Sequence, residues 1–164
     1  MKEINVNSLE FNPFKKIGNE WFLISSGNSD KWNTMTASWG FMGVMWNKNC
    51  VQAVVRPNRY TYEFLGSNEL FTVSFFDEKY RSALSFCGSH SGRSCNKAEE
   101  TGLTPLFTDG TVTFEEASLV LVCKKIFTMP MDASAIEKSL NEKFNSDAPV
   151  HTEFIGEIIK AYSN

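Results

Sequence analysis

Histidine and cysteine are scarce in this chain of 164 residues, which contains two of the former and four of the latter. Two histidines exclude a His-rich metal site, and the cysteines match neither a paired zinc ribbon nor a Cys-x-x-Cys redox pair. These cysteines are Cys50, Cys87, Cys95 and Cys123. We interpret them as free thiols that pack as small apolar side chains, and a redox role for Cys87 and Cys95 stays open. No metal site is predicted.

An excess of charge of one sign is also missing, since the formal net charge is -3 and the pI is near 5.4. Such a chain has no broad cationic field that would attract nucleic acid or anionic lipid. No segment approaches the roughly 20 apolar residues of a membrane span, and the N-terminus lacks the apolar stretch of a secretory signal. We therefore expect a cytoplasmic protein with no nucleic-acid or membrane partner.

Three common catalytic patterns are absent. The sequence contains neither the Gly-x-x-x-x-Gly-Lys-Ser/Thr phosphate loop nor the dinucleotide pattern Gly-x-Gly-x-x-Gly, which argues against a nucleoside triphosphatase and a Rossmann dehydrogenase. No Ser, Asp or Cys motif accompanies His151 to form a hydrolase triad, and a lone histidine is more often structural than catalytic.

Short apolar runs between turn signals are what the chain does contain. With 42% hydrophobic residues it can bury one core, and we treat residues 1–164 as a single domain. The runs are rich in β-branched and aromatic residues, which predicts a mainly β fold with few, short helices. Six strands are expected, at about 21–26, 34–39, 51–55, 70–75, 118–127 and 154–161. A closed or nearly closed β-barrel fits these elements because closure removes exposed strand edges.

Capping patterns and apolar spacing predict three helices. The first follows Asp77, whose carboxylate would cap it. The second follows Ser134, because Ser134-Ala135-Ile136-Glu137 has the form of a capping box. We expect its apolar stripe to cover the barrel through Ile136, Leu140 and Phe144. The third begins at Asn96 and stops at Gly102.

The first segment whose residues suit ligand binding is Asn33-Thr34-Met35-Thr36-Ala37-Ser38-Trp39-Gly40. Strand alternation sends Asn33, Met35, Ala37 and Trp39 to one side and the hydroxyls to the other. Small residues and hydroxyls let backbone amides approach a flat polar ring system, for which Trp39 would supply an apolar wall. The alternative is an ordinary Thr- and Ser-rich strand with one core tryptophan.

Two arginines, Arg56 and Arg59, bracket a predicted turn at Pro57-Asn58 that precedes a helical turn near Thr61. Arg59, the Thr61 hydroxyl and the free amides of a helix start are the donors that a phosphate monoester requires. A solvated turn whose arginines pair with surface acids is the alternative.

A glycine- and serine-rich loop, Cys87-Gly88-Ser89-His90-Ser91-Gly92-Arg93-Ser94-Cys95-Asn96-Lys97, has the composition of an anion cradle. Its glycines permit close backbone approach, and its serines add hydroxyl donors. Lys97 would lie in the first turn of the helix that follows. Further along, Gly156 interrupts the last predicted strand, which indicates a bulge or the close approach of another group.

The order of these segments resembles the flavin reductase-like family of FMN-binding split barrels, which includes the flavoredoxins. After the 33–40 segment comes Val55-Arg56-Pro57-Asn58-Arg59-Tyr60-Thr61, and then Phe71-Thr72-Val73-Ser74-Phe75 and the 87–93 loop. The match is completed by Lys97, which stands before Thr101-Gly102-Leu103-Thr104-Pro105, and by the C-terminal Phe154-Ile155-Gly156-Glu157-Ile158. Each motif alone is weak, whereas their joint order is specific and extends from about residue 14 to the end.

This resemblance implies a Greek-key split barrel that forms a homodimer, with one FMN per subunit in a cleft near the subunit interface. It implies that the ring and ribityl chain lie against Asn33, Thr34, Thr36, Ala37, Ser38 and Trp39. It implies that the phosphate end is bound by Arg59, Tyr60, Thr61, Ser89, Ser91, Arg93 and Lys97. Asn96 stands where family members often have Asp. His151 is the candidate catalytic residue, on the nicotinamide side. Related short reductases have a Gly-Asp-His stretch at this place, whereas this sequence has Asp147-Ala148-Pro149-Val150 before His151.

The function expected from the resemblance is that of an FMN-dependent oxidoreductase. NADH or NADPH would reduce the FMN, which would pass electrons to a flavin, an iron centre or a redox protein. Three alternatives stay open: a flavoredoxin-like electron carrier reduced by a protein partner, an enzyme similar to pyridoxamine-phosphate oxidases, and a flavin-free binding module.

Overall fold

The computed structural model describes the whole chain, Met1–Asn164. Ten strands form the fold: β1 (Lys2–Ile4), β2 (Phe22–Gly27), β3 (Trp32–Ala37), β4 (Gly40–Met45), β5 (Lys48–Val55), β6 (Leu70–Phe75), β7 (Pro105–Thr108), β8 (Thr111–Phe114), β9 (Leu119–Pro130) and β10 (Thr152–Ser163). The α-helices are α1 (Tyr60–Ser67), α2 (Arg81–Ser89), α3 (Lys97–Thr101) and α4 (Lys138–Asn145). None of them is long and apolar enough to span a bilayer.

One antiparallel sheet of eight strands dominates the structure. Its order is β3-β2-β6-β9-β10-β5-β4, with β1 added beside β10. Side chains from β3 at one edge and β5 near the other meet in the same core, so the sheet curls into a barrel that stays open between β3 and β4. The expected mainly β barrel is confirmed. All six predicted strands exist, but six is too few because β1 and β4 also join the sheet.

Both faces of the central strands are buried. Phe22 and Ile24 of β2 point into the barrel, whereas Leu23 points outward to a second apolar cluster. That cluster contains Leu84 of α2 and Phe114 of β8, so α2 and the β7-β8 hairpin cover the barrel from outside. Burial on both faces explains why these strands appear as continuous apolar runs in the sequence.

Two of the three predicted helices begin differently from the sequence expectation. Asn96 does cap α3 by accepting a hydrogen bond from the amide of Ala98, and Gly102 ends it with a φ of +69°. The capping role of Asp77 is wrong, because its side chain makes no cap bond and its backbone carbonyl starts a 3-10 turn instead.

The capping box at Ser134 is also wrong. Asp132 and Glu137 are the residues that accept cap hydrogen bonds, and α4 begins only at Lys138. The Glu137 carboxylate accepts hydrogen bonds from the amides of Ser139 and Leu140 at 3.1 and 3.0 Å. No residue of α4 is buried, so its apolar side chains do not cover the barrel as expected.

Gly156 of β10 confirms the close approach that the sequence predicts. The pairing of β10 with β9 shifts register at Ile155/Gly156, which marks a bulge or irregularity there. A Cβ atom at Gly156 would lie 2.5 Å from Cζ of Phe71 and 2.7 Å from Cβ of Cys123. The absence of a side chain therefore lets the Phe71 ring pack against the backbone of β10.

We predict that Gly156→Ala lowers the free energy of unfolding by about 1–3 kcal/mol, because the added methyl overpacks the core against Phe71. Urea denaturation followed by circular dichroism measures the change. Gly43→Ala on β4 is the matched control, since a Cβ there meets nothing within 4 Å. Equal stabilities of the two variants would contradict the packing argument.

Candidate functional site

A cleft runs along β3 between the start of α1, the end of α2 and the residue before β10. It consists of two adjoining cavities of about 200 and 100 Å³ that share Met35 and Arg59. The first is lined by Met35, Thr36, Ala37, Ser38, Trp39, Val54, Arg56, Arg59 and His151. The second is lined by Asn33, Met35, Asn58, Arg59, Tyr60, Thr61, Cys87, Gly88, Ser89, His90, Ser91, Gly92 and Lys97. The cleft thus has an aromatic end and a polar end.

Trp39 forms the wall of the aromatic end. The predicted strand to residue 39 is too long, because β3 ends at Ala37 and Trp39 lies in the connection to β4. Its ring is 45% exposed and lies 5.1 Å from the Phe144 ring and 5.3 Å from the His151 ring, measured between centroids. The next residue is a glycine, Gly40, because the Cβ of any other residue there would lie 2.1 Å from the carbonyl oxygen of Gln52. An exposed tryptophan flanked by two rings offers a flat apolar surface.

His151 is neutral at physiological pH. Burial, together with the positive charges of Arg56 and Arg59, lowers the pKa of its imidazole to about 4. The backbone carbonyl of His151 accepts a hydrogen bond from the amide of Met131 at 2.9 Å, which fixes the residue just before β10. His151 can therefore pack against a ring or form neutral hydrogen bonds, but it does not supply a positive charge.

Lys97 carries the positive charge of the polar end. Its side chain is only 6% exposed, and Nζ donates to the carbonyl oxygens of Thr34 and Cys87 at 2.9 and 2.7 Å. No carboxylate pairs with it, so an ammonium with three donors has two neutral acceptors and no counter-charge. Burial lowers the pKa of this amine. A buried cation without a counter-ion is suited to an anionic ligand.

The loop that follows α2 is pressed against β3 and α1. A Cβ atom at Gly92 would lie 2.0 Å from Oδ1 of Asn33, so only glycine permits this approach. Nδ2 of Asn33 donates to Oγ1 of Thr61 at 2.8 Å, which leaves the Thr61 hydroxyl hydrogen free to donate. The contact brings Asn33, Thr61 and the loop to the same cavity.

The two loop serines differ in their hydrogen bonding. Oγ of Ser91 accepts from the amide of Arg93 at 3.2 Å and keeps its own hydrogen for another acceptor. Ser89 is the last residue of α2, and its hydroxyl donates to the carbonyl of Ser85 at 2.9 Å. The expectation that Ser89 lies in the loop is therefore wrong, although it does line the cavity.

The threonines of β3 do not form the expected row of hydroxyls along the cleft. Oγ1 of Thr34 bonds with the Ser25 hydroxyl at 2.8 Å, so the side chain is turned into the protein and does not line either cavity. Its carbonyl instead holds Lys97. The Thr36 hydroxyl donates to the carbonyl of Leu84 in α2, while Thr36 lines the first cavity.

Arg93 lies outside the two cavities, in a neighbouring groove of about 440 Å³. Its guanidinium pairs with Glu63 and covers the Tyr60 ring, 4.6 Å from the ring centroid. Arg93 is thus paired with a surface acid and does not line either cavity, although the resemblance implies that it binds the phosphate. The pair still affects the cleft indirectly, because it holds the ring of Tyr60.

Eight residues line the cavities although they were not individually predicted to bind the ligand: Met35, Val54, Arg56, Asn58, Cys87, Gly88, His90 and Gly92. Arg56 was visible as one half of an arginine pair, but nothing in the sequence assigned it to the cleft. All four cysteines are free, and burial raises the pKa of Cys87 to about 11, so this thiol stays protonated. Its packing role agrees with the interpretation of the cysteines as small apolar side chains.

Comparison with known proteins matches residues 14–164 to the flavin reductase like domain. No protein of curated function matches the sequence. The fold is similar to a flavoredoxin from Methanosarcina acetivorans, with 23% identity, 100% of this chain and 76% of that one covered, and a TM-score of 0.71. It is also similar to an FMN-binding protein from Thermus thermophilus, with 14% identity, 100% of this chain and 82% of that one covered, and a TM-score of 0.72. A third similar structure is nitrilotriacetate monooxygenase component B from Bacillus cereus, with 18% identity, 99% of this chain and 81% of that one covered, and a TM-score of 0.69.

We predict that the His151 imidazole titrates near pH 4 in an NMR titration, with His151→Gln used to assign its signals. Its pKa in the folded chain lies below the usual 6.5, so the unfolded chain binds more protons between these values. The contribution to stability is complete above pH 6.5 and declines as the pH falls toward 4. In His151→Gln the free energy of unfolding should not show this part of the decline with falling pH, whereas in His90→Gln it should. A midpoint near 6.5 would refute the assignment.

Proposed function

The chain belongs to the flavin reductase-like domain family, and on this premise we propose that it binds FMN in the cleft and transfers electrons from NADH or NADPH through it. The acceptor would be a second flavin, an iron centre or a redox protein. The family membership and the split-barrel fold expected from the sequence are confirmed. The single observation that carries the proposal is the buried ammonium of Lys97 at the polar end.

Lys97 and Arg59 fit the phosphate of FMN. A phosphate dianion would give Lys97 the counter-charge that its carbonyl partners do not supply. Arg59 lines both cavities and precedes α1, whose first amides lack intrahelical partners. The Thr61 and Ser91 hydroxyls each retain a hydrogen to donate. Two cations, two hydroxyls and a helix start form a suitable donor set for a phosphate monoester.

The aromatic end fits a flat ring system. Met35, Val54 and Trp39 provide apolar contact there, and Thr36, Ala37 and Ser38 bring the backbone close to the cavity. When bound, FMN would supply the electron-accepting ring, so the residues of the chain need only bind it, orient it and exclude water. Neutral His151 beside Trp39 would pack against the nicotinamide of the donor, a role that requires no proton transfer.

A flavoredoxin-like electron carrier is the second candidate function. Trp39 is 45% exposed and packs edge-on against Phe144, so an aromatic surface faces solvent at this end of the cleft. A protein partner would pass electrons to the flavin across that surface, and a carrier reduced in this way needs no nicotinamide.

A homodimer is part of the proposal, as the family resemblance implies. Phe41, Val44 and Trp46 are between 60% and 73% exposed on the edge strand β4 and its turn. An exposed apolar edge beside the cleft is a suitable surface for a second copy. A monomeric mass in sedimentation equilibrium would contradict this part.

We predict that Arg59→Ala and Lys97→Ala each weaken FMN binding by about 1–3 kcal/mol, as expected for the loss of a charge-assisted hydrogen bond. Quenching of flavin fluorescence gives the dissociation constants. Arg81→Ala is the control, because Arg81 binds two backbone carbonyls far from the cleft. Thermal melting separates binding loss from unfolding in Lys97→Ala, which leaves two carbonyls without a donor. Unchanged affinity in both variants would reject the phosphate site.

Anaerobic mixing of the FMN-loaded protein with NADH and with NADPH distinguishes the enzyme from the carrier. An enzyme should bleach the flavin absorbance near 450 nm within seconds, roughly as turnover numbers of 1–1,000 per second require. A flavin that stays oxidised with both donors, yet is reduced by dithionite, would favour the carrier. Protein that gains no flavin absorbance at all would contradict both functions.

A further inference from the structure

The connection between β9 and β10, residues 131–151, is long for two strands that pair directly. We call it the strap. The amide of Met131 and the carbonyl of His151 bond at 2.9 Å and close its base. Hairpin loops usually have two to five residues, and connections beyond about 12–15 residues are uncommon and often functional. The strap contains a 3-10 turn and α4, and its last residue lines the aromatic end of the cleft.

Burial of apolar surface does little to hold the strap in place. No residue of α4 is buried, and Leu140 is 51% exposed. The cap hydrogen bonds of Asp132 and Glu137 are all internal to the strap. A segment with so little buried apolar area is expected to open at low free-energy cost unless specific polar contacts hold it.

Arg56 supplies such contacts from the end of β5. Its guanidinium donates to the carbonyl oxygen of Phe144 at 2.5 Å, to Oδ1 of Asn145 at 3.2 Å and to the carbonyl oxygen of Pro149. Phe144 and Asn145 are the last residues of α4, where carbonyls lack intrahelical donors and the helix dipole favours a cation. One planar side chain therefore holds both the end of α4 and the chain beyond it.

The attachment decides what faces the cleft. With the strap bound to Arg56, the Phe144 ring lies perpendicular to Trp39 at a centroid distance of 5.1 Å. Arg56 itself lines the first cavity beside Trp39 and His151. The strap, the cavity and β5 are thus joined at one residue.

We propose that Arg56 is a positioning residue that latches the strap over the aromatic end of the cleft, where Phe144 and Trp39 form the wall for the planar ring of the electron donor. Release of the strap moves Phe144 away from Trp39 and leaves the phosphate end unchanged. The role in donor binding rests on the proposed function, whereas the latch itself does not.

The latch is tested first by limited trypsin digestion without flavin, because Lys138 and Lys143 lie in α4 and report strap opening. Arg56→Gln should be cleaved at these sites roughly tenfold faster or more, as the loss of several charge-assisted hydrogen bonds implies. Arg81→Gln, which also loses bonds to two carbonyls, is the matched control and should be cleaved like wild type. Equal cleavage of Arg56→Gln and wild type would overturn the latch.

Asn145→Ala keeps the test decisive if Arg56→Gln does not fold. It removes one of the three acceptors from the exposed strap and leaves β5 intact, so its cleavage rate should fall between wild type and an open strap. Wild-type cleavage of Asn145→Ala in that case would overturn the latch.

The second readout concerns the donor. With FMN bound, Arg56→Gln and Phe144→Ala should both raise KM for NADH or NADPH severalfold. Phe144 lines neither cavity, so Phe144→Ala should also keep FMN affinity close to wild type. Arg56→Lys should leave KM raised almost as much as Arg56→Gln does, because a single ammonium cannot form the hydrogen bonds of the planar guanidinium. A latch that passes the digestion test while KM stays unchanged would overturn the assignment of Phe144 to the donor site. Absence of any flavin reduction would instead contradict the proposed function.

Discussion

The buried ammonium of Lys97 organises the polar half of the molecule. Its two acceptors, the carbonyls of Thr34 and Cys87, belong to β3 and α2, while the lysine itself begins α3. One charged group therefore joins β3 to two consecutive helices that follow it much later in the sequence. Because both acceptors are neutral, the junction keeps a positive charge that the protein does not neutralise, and the candidate phosphate site follows from this arrangement.

The barrel provides the rigid frame on which that junction depends. β2 and residues 119–123 of β9 are buried on both faces, so the interior core and the outer layer of α2 and the β7-β8 hairpin fix each other. β3 is also bonded directly to α2, because the Thr36 hydroxyl donates to the carbonyl of Leu84. By contrast, the aromatic end is bounded by a tryptophan in a connection and by a strap in which no residue is fully buried.

Much of this organisation was predictable from sequence, for identifiable reasons. Asn96 and Gly102 bound a helix through local capping, and Gly156 marks a close approach within one strand. The cap at Ser134 failed because Asp132 accepts the hydrogen bond of the Ser134 amide, while Glu137 points forward to the amides of Ser139 and Leu140. The orientation of Thr34 was not predictable because it depends on the hydroxyl that β2 places beside it, that of Ser25. The attachment of Arg56 was not predictable because residues 144–149 lie 88 to 93 positions away in sequence.

The opening between β3 and β4 has a consequence for the behaviour of the chain in solution. An unpaired strand offers free backbone donors and acceptors, and natural proteins usually protect such edges with charges, prolines or a covering element. β4 has none of these, and Phe41, Val44 and the following Trp46 are widely exposed. An element or partner that covered this edge would therefore also protect the chain from edge-to-edge aggregation, so the colloidal stability of the protein depends on this surface.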